Sequence, residues 1–243
     1  MTFARKTALV AGILYLLTFV SSIPAVFLFL GPVLDNPDYI IGSGADTRVV
    51  WGCILDVVNA LAAIGTAVAL FPIVRRQNES LALGFVMSRT IEAAVVMIGV
   101  VSLMAVVSLR QDLAGVTGTD TASLVTAGRS LVAVRDWTFL LGPGLMPAFN
   151  ALLLGTLMFK SRLVPRWIPI MGLVGAPLLL GADIATMFGL TDQVSAVSGL
   201  ATLPVAAWEL SIGIWMTVKG FLPSPILAGT TPAAAEPSPA PVA

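Results

Sequence analysis

The sequence has few charged residues, no histidine and a single cysteine. Only 11% of its 243 residues are charged, against roughly 25% in an ordinary soluble domain, so a water-soluble fold is not expected. Without histidine there is no imidazole to bind zinc or haem or to act in a catalytic triad, and Cys53 alone cannot form an internal disulfide. We therefore expect no cofactor and no metal site, and any chemistry must rest on carboxylates.

The charges that are present cancel. Thirteen basic and thirteen acidic residues give a net charge of zero, so the chain lacks the excess positive field that would hold nucleic acid. Hydrophobic residues make up 57% of the sequence. The expected partners are therefore the lipid bilayer and an unidentified small solute or ion, and no nucleic acid.

Six apolar runs are long enough to cross a bilayer. A hydrocarbon core about 30 Å thick takes roughly 20 apolar residues in a helix, and a helix satisfies its own backbone hydrogen bonds in lipid. The predicted fold class is all-α, a polytopic membrane bundle of six transmembrane helices that forms one domain over residues 1–222. The predicted spans cover residues 7–30, 49–74, 81–109, 137–159, 167–189 and 200–221.

Basic residues are unevenly divided between the two sides of this predicted bundle. Six spans place both termini on one side, and the loops and span ends of that side carry most of the lysine and arginine. The positive-inside rule then predicts cytoplasmic N- and C-termini in the cell membrane. Residues 223–243 are rich in proline and alanine with almost no charge, which predicts a disordered cytoplasmic tail.

Residues 120–136 allow two interpretations. Leu124, Val125, Leu131 and Val132 recur at helical spacing, and Thr119 or Asp120 is able to cap the start of a helix. The segment is either a separate helix at the membrane interface or an extension of the fourth span.

Polar residues inside the predicted spans are the candidate functional residues. A charge near the bilayer centre costs about 2.5–3.5 kcal/mol on insertion scales, so each one is a candidate for a binding site. Most share a helical stripe with small residues, which predicts that they face the bundle interior, with the third span at its centre. The candidates for binding a ligand or ion are Asp56, Asn59, Arg89, Glu92, Asn150, Asp183 and Glu209.

The interiors of the predicted spans contain four acidic residues and one basic residue. Arg89 can pair with Glu92, with Glu209 at similar depth, or with a bound anion, and we favour Glu209. Because desolvation and mutual repulsion disfavour four ionised carboxylates, either some are protonated or a cation or water-filled cavity compensates them. Asp56 and Asp183 are predicted to lie in the outer half of the membrane, where we expect solvent to reach them. The alternative for the Arg89 pair is a structural one, in which it only fixes helix register.

The fourth span carries a helix-breaking run. Gly142, Pro143 and Gly144 are followed by Pro147, which removes backbone donors and adds chain freedom within an apolar stretch. We predict a kink or an unwound turn here. In secondary transporters such breaks line the substrate site, although glycine and proline are also common in ordinary membrane helices.

Several short motifs along the chain are distinctive as a set. They are RKTAL at 5–9, SRTIE at 88–92, LGPG at 141–144, SRLVPRW at 161–167, WELS at 208–211 and KGF at 219–221. Together they resemble the bacterial multi-pass family of the domain of unknown function 4386. That family has no assigned reaction, ligand or cofactor, so the resemblance implies a membrane protein and adds no mechanism.

The leading functional hypothesis is an integral membrane protein that binds or moves a proton, cation or small solute through a polar bundle core. Glu92 and Glu209 would be the proton or cation groups, and Arg89 their counter-charge. The alternative is a non-catalytic scaffold or regulatory subunit. An enzyme is not expected, because Asp183 lacks the Gly-x-Gly-Asp pattern of intramembrane aspartyl proteases and Asp56 is not preceded by tyrosine.

Overall fold

The computed structural model describes residues 1–42, 44–112 and 120–228, and these residues form helices and loops without any strand. Two single π-helical turns, Ala25–Phe29 and Leu140–Gly144, and two 3₁₀ turns, Tyr39–Ile41 and Pro225–Leu227, accompany the α-helices. The α-helices are α1, Phe3–Pro24; α2, Gly31–Leu34; α3, Asp46–Val74; α4, Glu79–Asp112; α5, Thr121–Phe139; α6, Met146–Ser161; α7, Trp167–Met187; and α8, Ala196–Val218.

The predicted all-α bundle of six transmembrane helices is confirmed. In the described part of the chain, six helical spans are long and apolar enough to cross a membrane. They also present large apolar side chains outward: Leu61 is 65% exposed, Val101 66% and Leu203 60%. Such a surface is expected against lipid rather than water. The spans are Phe3–Phe29, Asp46–Val74, Glu79–Asp112, Thr121–Ser161, Trp167–Met187 and Ala196–Val218.

The fourth span is longer than predicted. Helix α5 begins at an Asp120 cap, whose Oδ1 accepts the Ala122 amide at 3.1 Å, and it continues through the Leu140–Gly144 turn toward α6. Of the two interpretations of residues 120–136, the extension of the fourth span is therefore the right one. At 1.5 Å per residue the 41-residue span is roughly 60 Å long, about twice the hydrocarbon thickness. Helix α5 is therefore long enough to continue beyond the bilayer.

The start of the first span lies against the end of the last. The Arg5 guanidinium donates to the carbonyl oxygens of Met216 and Thr217, each at 2.8 Å, which places a cation at the negative end of the α8 dipole. We call this end of the bundle the terminal side and the opposite end the far side. The N-terminus and residue 218 thus share one side, as six antiparallel spans require.

The six spans pack in chain order as a closed ring, each against the next and the last against the first. The expectation that the third span lies at the centre was therefore wrong, because α4 is a ring member between α3 and α6. Glycines allow some of the closest contacts in the ring. A Cβ added to Gly12 on α1 would lie 2.6 Å from the Thr217 amide nitrogen on α8.

Apolar packing is concentrated at two levels. The larger cluster lies in the terminal half, where Tyr15, Phe85 and Trp208 are fully buried. A smaller cluster on the far side includes Leu103 and Val106. Between these levels the ring interior contains polar side chains, and the candidate site lies there.

The first residues of the predicted tail pack on the bundle. Ser224 Oγ donates to the Ser161 carbonyl at 2.6 Å, and Ile226 packs against the terminal-side core. Ser224 and Ile226 therefore lie against the bundle, although both belong to the predicted tail. Residues 229–243, which make up the rest of the predicted disordered tail, lie outside the described residues.

Candidate functional site

Arg89 on α4 lies between two carboxylates, one from the same helix and one from α8. Its Nη1 is 3.2 Å from Glu92 Oε2, and its Nη2 is 2.5 Å from Glu209 Oε1 on α8. The guanidinium also lies over the Tyr15 ring, 5.0 Å from its centroid, a cation–π geometry. The structure therefore brings together Arg89 and both of the carboxylates considered as partners, including the favoured Glu209.

Asn150 joins this group from α6. Its Nδ2 donates to Glu92 Oε2 at 2.7 Å, and the side chain is fully buried. We call Arg89, Glu92, Asn150 and Glu209 the polar centre. Two atoms of this centre are buried without a hydrogen-bond partner among the described residues: Arg89 Nε and Asn150 Oδ1. Buried polar atoms without partners are costly, so this network has unused capacity for a ligand.

The polar centre has more acid than base. With all groups ionised, one guanidinium and two carboxylates carry one surplus negative charge. An uncompensated charge in an apolar interior is strongly unfavourable. A bound proton or cation would therefore make the centre neutral.

A cavity of about 270 Å³ adjoins the polar centre, and we call it the central cavity. At ~30 Å³ per molecule, it has room for several waters or a small solute. All six spans contribute to its lining, represented in chain order by Thr18, Asn59, Glu92, Pro143, Leu179 and Glu209.

The central cavity extends from the polar centre toward the far side. On the terminal side of this centre, Tyr15 and Trp208 pack edge to face, with ring centroids 6.5 Å apart, and Phe85 is fully buried beside them. On α1 and α8 the lining continues to Ile23 and Thr202, each about two turns farther from the terminal side. Aromatic packing thus closes the terminal side of the cavity.

Asp56 has a partner that the sequence analysis missed. Its Oδ2 accepts from Arg135 Nη2 on α5 at 3.2 Å, and both side chains are about 95% buried. The expectation that solvent reaches Asp56 was therefore wrong, because the lengthened fourth span carries Arg135 into the bundle. The available signal was the helical spacing of Leu131 and Val132, which places Arg135 one turn later on the same face.

Asp183 is also buried, at 6% exposure, so the expectation of solvent contact is corrected here as well. Its carboxylate lies against the π-helical turn of the fourth span, where a Cβ on Gly144 would be 3.6 Å from both oxygens. The predicted break is thus present as this turn. Asp56 is bonded to Arg135, and no hydrogen bond among the described residues joins it to Asp183. Asn59 is largely buried and lines the central cavity.

Comparison with known proteins identifies a family but no individual relative. No curated protein and no solved structure matches the chain. The family described as Domain of unknown function (DUF4386) matches residues 10–220, which include the polar centre and the Asp56–Arg135 pair. The resemblance carried by the short motifs is confirmed, and the chain belongs to this family of multi-pass membrane proteins.

Proposed function

We propose that this protein binds a proton or small cation in the central cavity and moves it across the membrane. Glu92 and Glu209 take up the charge, and Arg89 is the fixed counter-charge. The observation that carries the proposal is the central cavity itself, which all six spans line and which contains two carboxylates against one guanidinium.

The depth of the two carboxylates supports this function. Glu92 lies thirteen residues after Glu79, the first residue of α4, and Glu209 lies nine residues before Val218, the last of α8. At 1.5 Å per residue these positions are roughly 20 Å and 14 Å from the terminal side. Both are near the middle of a core about 30 Å thick, where ionisable side chains typically mark ion or proton pathways.

The break in the fourth span adds a second source of oxygen ligands. Pro143 and Pro147 both line the central cavity. Because proline has no amide hydrogen, Pro147 cannot donate to the carbonyl of Pro143 one turn earlier. Irregular backbone that faces a cavity is a feature of ion sites in secondary transporters. The same backbone would help to hold a cation here.

The test is transport by the full chain in liposomes. We expect Glu209→Gln, which keeps side-chain shape and removes the charge, to lower proton or monovalent-cation flux at least tenfold. Glu79→Gln is the matched control, because Glu79 is an exposed acid at the start of α4. Wild-type flux in the double variant Glu92→Gln/Glu209→Gln would contradict the proposal.

The alternative function is a scaffold or regulatory subunit, and one observation favours it. The polar centre connects α4 to α6 and α8 by hydrogen bonds and to Tyr15 of α1 by a ring contact, so it also holds the ring together. If this were its only role, Arg89→Ala would lower the melting temperature while no monovalent cation changed it. A rise in melting temperature with one cation, lost in Glu209→Gln, would favour binding.

A further inference from the structure

Asp183 is a buried carboxyl group without a partner. Its Oδ2 has no hydrogen bond, and none of the ion pairs in the described part of the chain includes it. Two buried charged side chains of the ring are paired elsewhere: Glu209 bonds to Arg89, and Arg135 bonds to Asp56. Burial therefore leaves Asp183 without a compensating charge from the protein.

Asp183 lies between two cavities. Leu179, one turn before it on α7, lines the central cavity, and Thr186, one turn after it, lines a second cavity of about 290 Å³ on the far side. Residues 179, 183 and 186 share one helix face and span about 10 Å along the axis. We call the second cavity the far-side cavity. Its lining includes the exposed acids Asp136 and Asp192.

The fourth span, which faces Asp183, also contributes residues to both cavities. Leu140 lines the far-side cavity and Pro143 lines the central cavity. Gly144 is adjacent to Pro143, and its missing side chain leaves the Asp183 oxygens in reach of the turn's backbone. Asp183 and the π-helical turn thus lie between residues that line the central cavity and residues that line the far-side cavity.

The missing positive charge is best supplied by a proton. A metal cation would require several oxygen ligands, and the described residues contain no group of three or more acidic, cysteine or histidine side chains that could hold one. A carboxyl group needs only one proton to become neutral. Acidic residues at the far-side cavity would also raise the local proton concentration.

We propose that Asp183 is a proton relay between the far-side cavity and the polar centre. The Asp183 carboxylate takes a proton from hydronium in the far-side cavity and releases water. The carboxylic acid then returns that proton to water in the central cavity, from which Glu92 or Glu209 takes it. No other bond changes. The relay rests on the proposed function and specifies its ion as the proton.

The first experiment combines infrared spectroscopy with proton uptake into liposomes that contain the full chain. We expect Asp183→Asn to remove a carboxylic acid C=O band and to lower proton flux at least tenfold. Asp183→Glu should retain flux. Asp112→Asn is the matched control, because Asp112 is an exposed acid at the far-side end of α4, and it should behave as wild type in both measurements.

A second variant leaves every charge in place. A Cβ at Gly144 would meet both Asp183 oxygens at 3.6 Å, an ordinary contact distance, so Gly144→Ala is expected to fold. Its methyl group would cover the face of the carboxyl that adjoins the turn. We expect proton flux to fall severalfold while the carboxylic acid band remains. This variant tests the relay even if Asp183→Asn does not fold.

The outcomes separate the relay from the underlying function. Wild-type flux in Asp183→Asn or in Gly144→Ala, with flux abolished in Glu209→Gln, would overturn the relay and leave the polar centre as the transport site. Persistence of the full acid band in Asp183→Asn would also overturn it. Wild-type flux in the Asp183 variant and in the Glu92→Gln/Glu209→Gln double variant would overturn both proposals.

Discussion

The two buried arginines have different charge balances. Arg89 faces two carboxylates beside a cavity, whereas Arg135 faces Asp56 alone and stacks over the Phe139 ring, 4.9 Å from its centroid. A single base with a single acid is neutral as it stands and needs no further ion. We therefore assign the Asp56–Arg135 pair a structural role and keep the polar centre as the proposed transport site.

This assignment predicts a stability difference. Arg135→Gln leaves Asp56 buried without its partner, and removing one member of a buried pair typically costs about 3–5 kcal/mol. The double variant Asp56→Asn/Arg135→Gln leaves no charge behind, so it should recover much of that loss. The measurement is the free energy of unfolding in detergent by circular dichroism. Equal destabilisation of the single and double variants would contradict a paired-charge role.

Tyr39 provides a residue-scale test of the far-side packing. It is 3% exposed, and its hydroxyl donates to Asp46 Oδ1 at 2.6 Å. Burial, then the hydrogen bond to Asp46, raises the pKa of Tyr39 above its ordinary value, which is about 10. The folded state then holds this proton more tightly than the unfolded state. The resulting stability is complete below about pH 10 and is lost as the pH rises above it.

The pH dependence can be measured with one control variant. Tyrosinate absorbance of the wild type minus that of Tyr39→Phe isolates this side chain, because Tyr15 is the only other tyrosine. We expect the difference signal to appear at higher pH than for free tyrosine. A Tyr39 titration at the ordinary value would show that this side chain, in the 3₁₀ turn between α2 and α3, is not buried.

At the scale of elements, contacts between helix backbones depend on glycine. Helices α1 and α8 approach so closely at Gly12 that a side chain there would meet the backbone of Thr217. Backbone cannot move aside as a flexible side chain can. In lipid, where no hydrophobic force drives helices together, such close approach is a main source of association. The α1–α8 contact that closes the ring is therefore sensitive to added volume.

We predict that Gly12→Ala lowers the free energy of unfolding by about 1–3 kcal/mol, the usual range for overpacking. Gly181→Ala is the matched control, since it lies within α7 with no atom within 4 Å of the added Cβ. Alanine there should be neutral or stabilising by up to about 1 kcal/mol, through helix propensity. Thermal unfolding in detergent compares the two. Equal effects would exclude a close α1–α8 contact.

For the whole molecule, the distribution of basic residues predicts its orientation. The terminal side carries eight lysines and arginines, among them Arg75, Arg76 and Lys219. On the far side Arg135 points into the bundle, which leaves Arg48, Arg110 and Arg129. The difference in basic residues between the two sides is thus larger than the sequence count alone gives. The positive-inside rule therefore predicts that the terminal side faces the cytoplasm.

Cysteine labelling tests this orientation. In a Cys53→Ser background, Ser130→Cys lies on the exposed far-side part of α5, and Ser80→Cys lies at the exposed start of α4. We expect a membrane-impermeant maleimide to label Ser130→Cys on intact cells and Ser80→Cys only after lysis. The reverse pattern would invert the bundle and, with it, the direction of the proposed proton pathway.

The sequence by itself determined the fold class, the number of spans and the candidates in the polar centre. These are local properties: about twenty apolar residues in lipid must form a helix, and a charge among them must turn away from the acyl chains. Arg89, Glu92 and Glu209 could be identified as candidates because each interrupts such a run.

Only the tertiary structure decided which groups meet and what lies between them. The Asp56–Arg135 pair, the ring without a central span and the contact of Asp183 with the π-helical turn join residues far apart in sequence. Such contacts depend on the rotation of each helix about its axis and on its position along that axis relative to the neighbouring helices. In lipid these are set by side-chain packing and polar contacts between helices, which the pattern along one helix does not contain.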